Sequence, residues 1–273
     1  MNHIMASART EFVIAFRNRW ITIAVAMMVL FSLVLSAAGS APTGALGVDK
    51  LSVTVASLTS LTVYLVPLVA LLLSFDAIAG EIERGTLSLV LTYPVSRAAL
   101  ILGKFTAHLA ILAIAVAAGY GIAAITAMAA DPDAIRGVPA LLRLFWTSIL
   151  LGATFIGIGY GISAFARRPG AAAGLVIGLW LVLIVLYDLG LLAAIVADDG
   201  GKFTTDYFPL LLLGNPADAF RIYNLAVSDA AASATGLTGA ANSIPPVHAL
   251  ISILVWPIVA TTIAWLTFRK VTP

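Results

Sequence analysis

SLTSLTVYLVPLVALLLSFDAIAGEIERGTLSLVLTYP, residues 57–94, decides the fold. Up to Phe75 it carries no charge; Asp76, Glu81, Glu83 and Arg84 then arrive together. A bilayer core is crossed by about 20 apolar residues, so the stretch reads as the end of a membrane span followed by its polar exit. Working outward, the span begins near Val53, and charge-free runs of the same kind cover 20–39, 105–130, 144–166, 171–197 and 247–268. Each exceeds the roughly 18 residues that mark a membrane helix. The expected fold is therefore all-α: one polytopic membrane domain over 1–273 with six transmembrane helices. Composition agrees. Apolar residues make up 61% and charged residues 10%, against about 45–50% and about 25% in soluble domains. Ser36-Ala37-Ala38 looks like a cleavage site, but the run before it is longer than the roughly 7–15 residues of a signal-peptide core, so an uncleaved anchor is expected. The chain has no cysteine, which excludes disulfides, thiolate metal sites and cysteine nucleophiles. A net charge of +2, with the arginines beside hydrophobic ends, argues against a nucleic-acid surface.

Lysine and arginine give the orientation. Arg9, Arg17, Arg19, Arg84, Arg97, Lys104, Arg167, Arg168, Arg269 and Lys270 fall in one set of connections, and Lys50, Arg136, Arg143, Lys202 and Arg221 in the other. Ten against five places both termini in the cytoplasm by the positive-inside rule. Residues 1–19 are expected to form an interfacial helix before the first span.

Two connections are more than linkers. In the cytoplasmic segment 80–104, the uncharged stretch 85–96 is too short to cross a membrane. Leu87, Val90 and Leu91 share a helical face while Thr86, Ser88 and Thr92 lie elsewhere, which predicts a short surface helix closed by Pro94. On the outer side, 197–246 reads as a small extracytoplasmic lid with short helices. There Asn215 is a helix N-cap, Pro216 its first residue and Asp218 the acid near its start. Asp218, Arg221 and Asn224 follow at spacings of three, predicting a polar face that needs water or a partner.

Glu81, Glu83, Gly85-Thr86-Leu87, Pro94, Ser96-Arg97 and Gly103-Lys104 after the second span resemble the pattern of ABC-2 type permeases, the membrane halves of ABC transporters. The likeness extends through residues 57–94, AAGLVIGLWLVLIVLYDLGLL at 172–192 and LLLLGNPADAFRIYNL at 210–225. In these it is similar to the members that serve maturation of nitrous oxide reductase, and it weakens around 227–244. The resemblance implies a bacterial inner-membrane protein acting as a homodimer, with a separate cytoplasmic ATPase that uses ATP and Mg. It further implies a periplasmic β-helical partner that hands copper to the reductase. Glu81, Glu83, Arg84, Gly85, Thr86, Leu87, Pro94, Arg97 and Lys104 would then couple the chain to the ATPase, and Asn215, Pro216, Asp218, Arg221 and Asn224 would dock the outer partner.

The residues fit that division of labour. No G-x-x-x-x-G-K-[ST] phosphate loop occurs, so nucleotide chemistry of that kind belongs to another subunit. Neither cofactor nor metal is expected on this chain, because His3, His108 and His248 are scattered and only Met27 and Met28 are adjacent, whereas a copper relay wants clustered soft ligands. Asp188 lies about 26 Å along the fifth run at about 1.5 Å per residue, near the far edge of a core about 30 Å thick. It reads as an interfacial acid paired with Arg143 or Arg221, with a substrate role as the alternative. Asp76 belongs with the coupling region. Gly170, Gly174 and Gly178 on the fifth run, and Gly152, Gly157, Gly159 and Gly161 on the fourth, are expected to allow close helix packing, within the chain or at a dimer seam. Gly161-Ile-Ser163 only faintly resembles an intramembrane serine-protease motif. The competing class is a self-contained secondary transporter using Asp188 and Asp76, for which internal repeats and polar midplane residues would be required.

Overall fold

A computed structural model describes residues 5, 8–13, 19–38, 49–93, 95–226 and 244–271, and among these every regular element is a helix. In chain order they are α1 (Arg19–Ala38), α2 (Lys50–Ser74), α3 (Ala79–Glu83), α4 (Thr86–Thr92), α5 (Arg97–Ala130) and α6 (Val138–Ala166). The chain continues with α7 (Pro169–Trp180), α8 (Tyr187–Asp198), α9 (Phe208–Gly214), α10 (Pro216–Ala226) and α11 (Pro246–Arg269). Wider π turns join α7 to α8 (Leu181–Leu186) and lead into α9 (Phe203–Tyr207).

Among the described residues, five helical stretches are long and apolar enough to span a membrane: Lys50–Glu83, Arg97–Ala130, Pro132–Ala166, Pro169–Asp198 and Pro246–Arg269. The expectation was six. In the remaining one, α1, the stretch that qualifies as apolar is Val25–Val34, short of a full span. Ser36, Ala37 and Ala38 continue α1 as helix; Arg17 and most of the expected N-terminal helix lie outside the described residues.

The span boundaries also move, for a physical reason. The cytoplasmic connection was expected to reach Lys104, yet α5 starts at Arg97 and runs 34 residues, about 50 Å at about 1.5 Å per residue. Ser96 caps it by accepting from the Ala99 N–H at 3.1 Å, and Lys104 finds anions within the protein, so neither polar residue ends the helix.

Helix α6 is the hub, packed on α11, α2 and α5. Its glycines make this approach feasible: a Cβ on Gly157 would stand 2.9 Å from the backbone nitrogen of Thr261, and Gly152 and Gly159 are closed in by Leu112 and Ser74. Small residues are the usual way for helices to touch in lipid, where burial supplies no hydrophobic drive between them. Gly170, Gly174 and Gly178 on α7 have open space beside them instead. The packing expectation thus holds within the chain for α6 and not for α7.

Candidate functional site

The candidate site is the polar segment after α2 and what holds it in place. Ser163 of α6 sends its hydroxyl oxygen into the break after α2, where it accepts from the N–H groups of Ile78 (3.1 Å) and Ala79 (2.9 Å). These are orphan donors at the start of α3, so a side chain from another span caps it. The Gly161-Ile-Ser163 stretch therefore has a structural use. Gly85 separates α3 from α4 with φ +68°, a left-handed conformation that glycine adopts without strain. Thr86 then donates its hydroxyl to the Glu81 carbonyl at 3.3 Å, folding α4 back on α3.

Helix α4 has the predicted amphipathic face. Leu87 is 1% exposed, and Val90 and Leu91 pack against the core from partly buried positions. The opposite face is outside: Ser88 and Thr92 are exposed, as are Leu89 (64%) and Tyr93 (69%) one turn apart. Glu83 and Arg84 flank it in solvent, with Arg84 at 3.5 Å from Asp76. Pro94, expected to close the helix, lies outside the described residues.

Two of the expected socket residues face inward. Lys104 is 3% exposed, and its ammonium sits 2.8 Å from Glu81 Oε1 and 2.8 Å from Glu11 Oε2. His108, one turn on, has Nε2 3.6 Å from Glu11 Oε1 and Nδ1 2.8 Å from the Tyr160 hydroxyl. A buried cation between two carboxylates thus ties the N-terminal helical residues 8–13 and α3 to α5, with α6 joined through Tyr160. Arg97 is committed as well. Its Nη1 donates to the carbonyls of Phe268 (3.1 Å), Arg269 (3.2 Å) and Val271 (2.7 Å), so it caps the C-terminus of α11, where unpaired carbonyls and the helix dipole favour a cation. Glu11, His108, Tyr160 and Ser163 were missed as site residues. The spacing Lys104-x-x-x-His108 on one helix face was the available signal, since two basic groups entering a membrane call for an acid.

At the other end of the bundle the five expected docking residues do converge, but their polar face points inward. Asn215, Pro216, Asp218 and Asn224 are buried, and α10 packs on α11, α2 and α6 rather than standing off as a lid. Asn215 is the predicted cap: its Oδ1 accepts from the Ala217 N–H at 3.0 Å while its Nδ2 donates to the Leu183 carbonyl at 2.7 Å, inside the π turn. Asn224 bonds Thr147 of α6. The sequence could not show that these amides had partners in distant helices.

Arg221 reaches both acids nearby, Asp218 Oδ1 at 2.5 Å and Asp188 Oδ2 at 3.1 Å, as the interfacial reading of Asp188 anticipated. Burial pushes the Asp218 carboxyl up to about 7; Arg221 pulls it down and Asp188, a second anion, raises it. Beside α2 the opposite holds. Asp131 accepts from the backbone N–H of Lys50 and of Asp133, which holds its carboxyl below its ordinary value. His248 is exposed and Met28 is buried beside Gly119. Among the described residues no three histidine or acidic side chains are grouped to hold a metal.

The sequence matches the family described as ABC-2 family transporter protein over residues 5–271. It is similar to the probable ABC transporter permease protein NosY of Stutzerimonas stutzeri, 38% identical over 279 residues and covering 99% of each chain. To the protein of the same description from Pseudomonas aeruginosa it is 40% identical over 267 residues, covering 96% of each.

Proposed function

The chain belongs to the ABC-2 family of transporter proteins, and from that premise we propose that it is the permease half of a transporter whose ATP hydrolysis is carried out by a separate cytoplasmic subunit. In this reading it works as a homodimer in the bacterial inner membrane, with α1 as the sixth span and both termini in the cytoplasm. Its role is to transmit movement from the ATPase to a periplasmic β-helical, copper-handling partner during assembly of the copper sites of nitrous oxide reductase. The relatives' printed description supports the permease part of this reading, and the sequence resemblance supports the rest.

The single observation that carries the mechanical reading is the build of α3 and α4. A short helix lies at the membrane exit with Leu87 buried beneath it, Leu89 and Tyr93 presented outward, and its base tied by Ser163 and by Glu81 to Lys104. A push on Leu89 and Tyr93 would be passed to α5 and α6 because the inner face has buried, hydrogen-bonded anchors. The secondary-transporter reading gains no comparable support. Asp76, in the break after α2, and Asp188, in the first turn of α8, each pair with an arginine, which suits anchoring.

Co-expression with the ATPase tests the proposal. Leu89→Arg with Tyr93→Arg is expected to abolish ATPase capture while the permease still inserts and dimerises. Wild-type capture by that double variant would remove α4 as the contact.

A further inference from the structure

Between α5 and α11, beside the ends that Arg97 ties together, lies a cavity of about 380 Å³, within the roughly 300–1,000 Å³ range of small-molecule sites. One wall is Ala98, Ile101, Leu102 and Phe105 of α5, at the spacing of a single helical stripe. The facing wall comes from α11 and includes Thr261 and Trp265, and Tyr160 of α6 is the floor. Two polar groups in this lining are already engaged. Thr261 donates its hydroxyl to the Pro257 carbonyl at 2.6 Å, and the Tyr160 hydroxyl is held by His108; apart from the exposed Thr262 and the Trp265 indole N–H, the lining is aromatic and aliphatic. A polar solute would find little to bond there, and an apolar chain would bury that surface.

The charge at one end identifies what the chain would be attached to. The Arg269 guanidinium stacks over the Trp265 ring, 4.6 Å from its centroid, and Arg97, next to Ala98, lies over Phe268 at 5.7 Å. Lys270 follows and is exposed like Arg269. Neither 97–105 nor 260–271 contains an acid. From Ala98 to Phe105 the groove runs about 10 Å along a membrane-spanning helix, at about 1.5 Å per residue, away from this cationic rim. We propose that the groove between α5 and α11 is a specific site for an anionic phospholipid, with an acyl chain against Phe105, Tyr160 and Trp265 and the phosphate at Arg269 and Lys270. This goes beyond the coupling role and does not depend on it. Its consequence for that role is direct, because the floor residue Tyr160 contacts His108, which adjoins the Glu11–Lys104–Glu81 cluster.

Trp265 makes the site observable. The full-length protein is reconstituted with acyl-brominated phosphatidylglycerol or acyl-brominated phosphatidylcholine at matched mole fraction. The Trp265 signal is the difference in tryptophan quenching between wild type and Trp265→Phe. The anionic lipid is expected to quench Trp265 with about fivefold higher relative affinity, the effect of about one basic residue at a membrane surface. Arg269→Gln with Lys270→Gln should equalise the two lipids, and Ala98→Phe, which fills the wall, should reduce quenching by both; each variant is first checked for monodisperse elution. Equal quenching by the two lipids in wild type means annular lipid only and overturns the proposal. So does shielding of Trp265 from both lipids that is relieved when a dimer dissociates, which would give the groove to a second copy.

Discussion

Each end of the bundle holds one cation between two carboxylates, and the two ends bury opposite partners. At the cluster beside α3, called inner for the proposed orientation as that beside α10 is called outer, Lys104 is buried, and Glu11 and Glu81 approach it from nearer the surface. At the outer cluster Asp218 is the buried member at 1% exposure, while the Arg221 and Asp188 side chains remain 27% and 30% exposed. A buried cation with two anions beside it has its charge satisfied whichever acid is considered, so the inner cluster is a bolt. At the outer cluster the deepest member is itself an acid with a second acid beside it. Both clusters leave one carboxylate oxygen without a hydrogen-bond partner, Glu81 Oε2 and Asp218 Oδ2, but only Asp218 is the most buried member of its cluster. It is relieved by taking up a proton. The inner cluster thus fixes the base of α3, whereas at the outer one burial and the second anion favour the protonated form of the deeper acid.

The comparison is broken most decisively at Lys104. Lys104→Met leaves two anions facing each other in the protein and is expected to cost about 3–5 kcal/mol, read as a collapse of folded yield and thermal midpoint in detergent. Adding Glu81→Gln should recover part of it. A loss no larger than that of Glu83→Gln, an exposed site, would show that the cluster is not a bolt.

The next effect is a pH dependence at the outer cluster. Folded Asp218 titrates at about 7 and its unfolded counterpart at about 3.9, so between those values the folded state holds a proton that the unfolded chain has released. Stability therefore falls as pH rises from about 4 to about 7, by at most about 4 kcal/mol from this group. The groups facing it are Asp188 and Arg221, with Tyr187 of α8 near both acids and Arg143 of α6 toward Tyr223 of α10. Thermal midpoints should be lower at pH 8 than at pH 5, with the slope reduced in Asp218→Asn. An unaltered slope in that variant would assign the titration elsewhere.

The caps sharpen the comparison at smaller scale. Arg97→Gln removes a charged donor from three carbonyls of the α11 terminus and is expected to lower stability by about 1.5–3 kcal/mol. Asn215→Ala at the outer end removes the α10 cap and should cost about 0.5–2 kcal/mol. Hydrogen exchange measured on α11 and α10 separates them: each variant should loosen its own helix. Loosening of both by either change would mean that the two ends are not independent.

Much of this was legible in the sequence. Charge-free runs of span length gave the helices, Leu87, Val90 and Leu91 gave the buried face of α4, and Asn215-Pro216 gave the start of α10, because each signal is local and the membrane imposes one ruler on all of them. Asp188 was placed near an arginine by counting residues along a helix. The exact ends of the spans were harder, because Arg97 and Lys104 looked like exits while distant carbonyls and carboxylates were keeping them inside helix α5. The polar face of α10 is present but turned inward for the same reason: Asn224 found Thr147, 77 positions away.

What the sequence by itself determined is that the chain is helical and membrane-embedded, and which short segments stand outside the spans. Hydrophobic run length and period are properties of neighbouring residues. What only the tertiary structure decided is which charges are bolts, which are free to titrate and which are free to meet a partner. A charge in an apolar chain is settled by whatever opposite group or backbone end other helices bring to it, and pairings such as Glu11 with Lys104, or Arg97 with the carbonyls after Phe268, join positions that no local pattern connects.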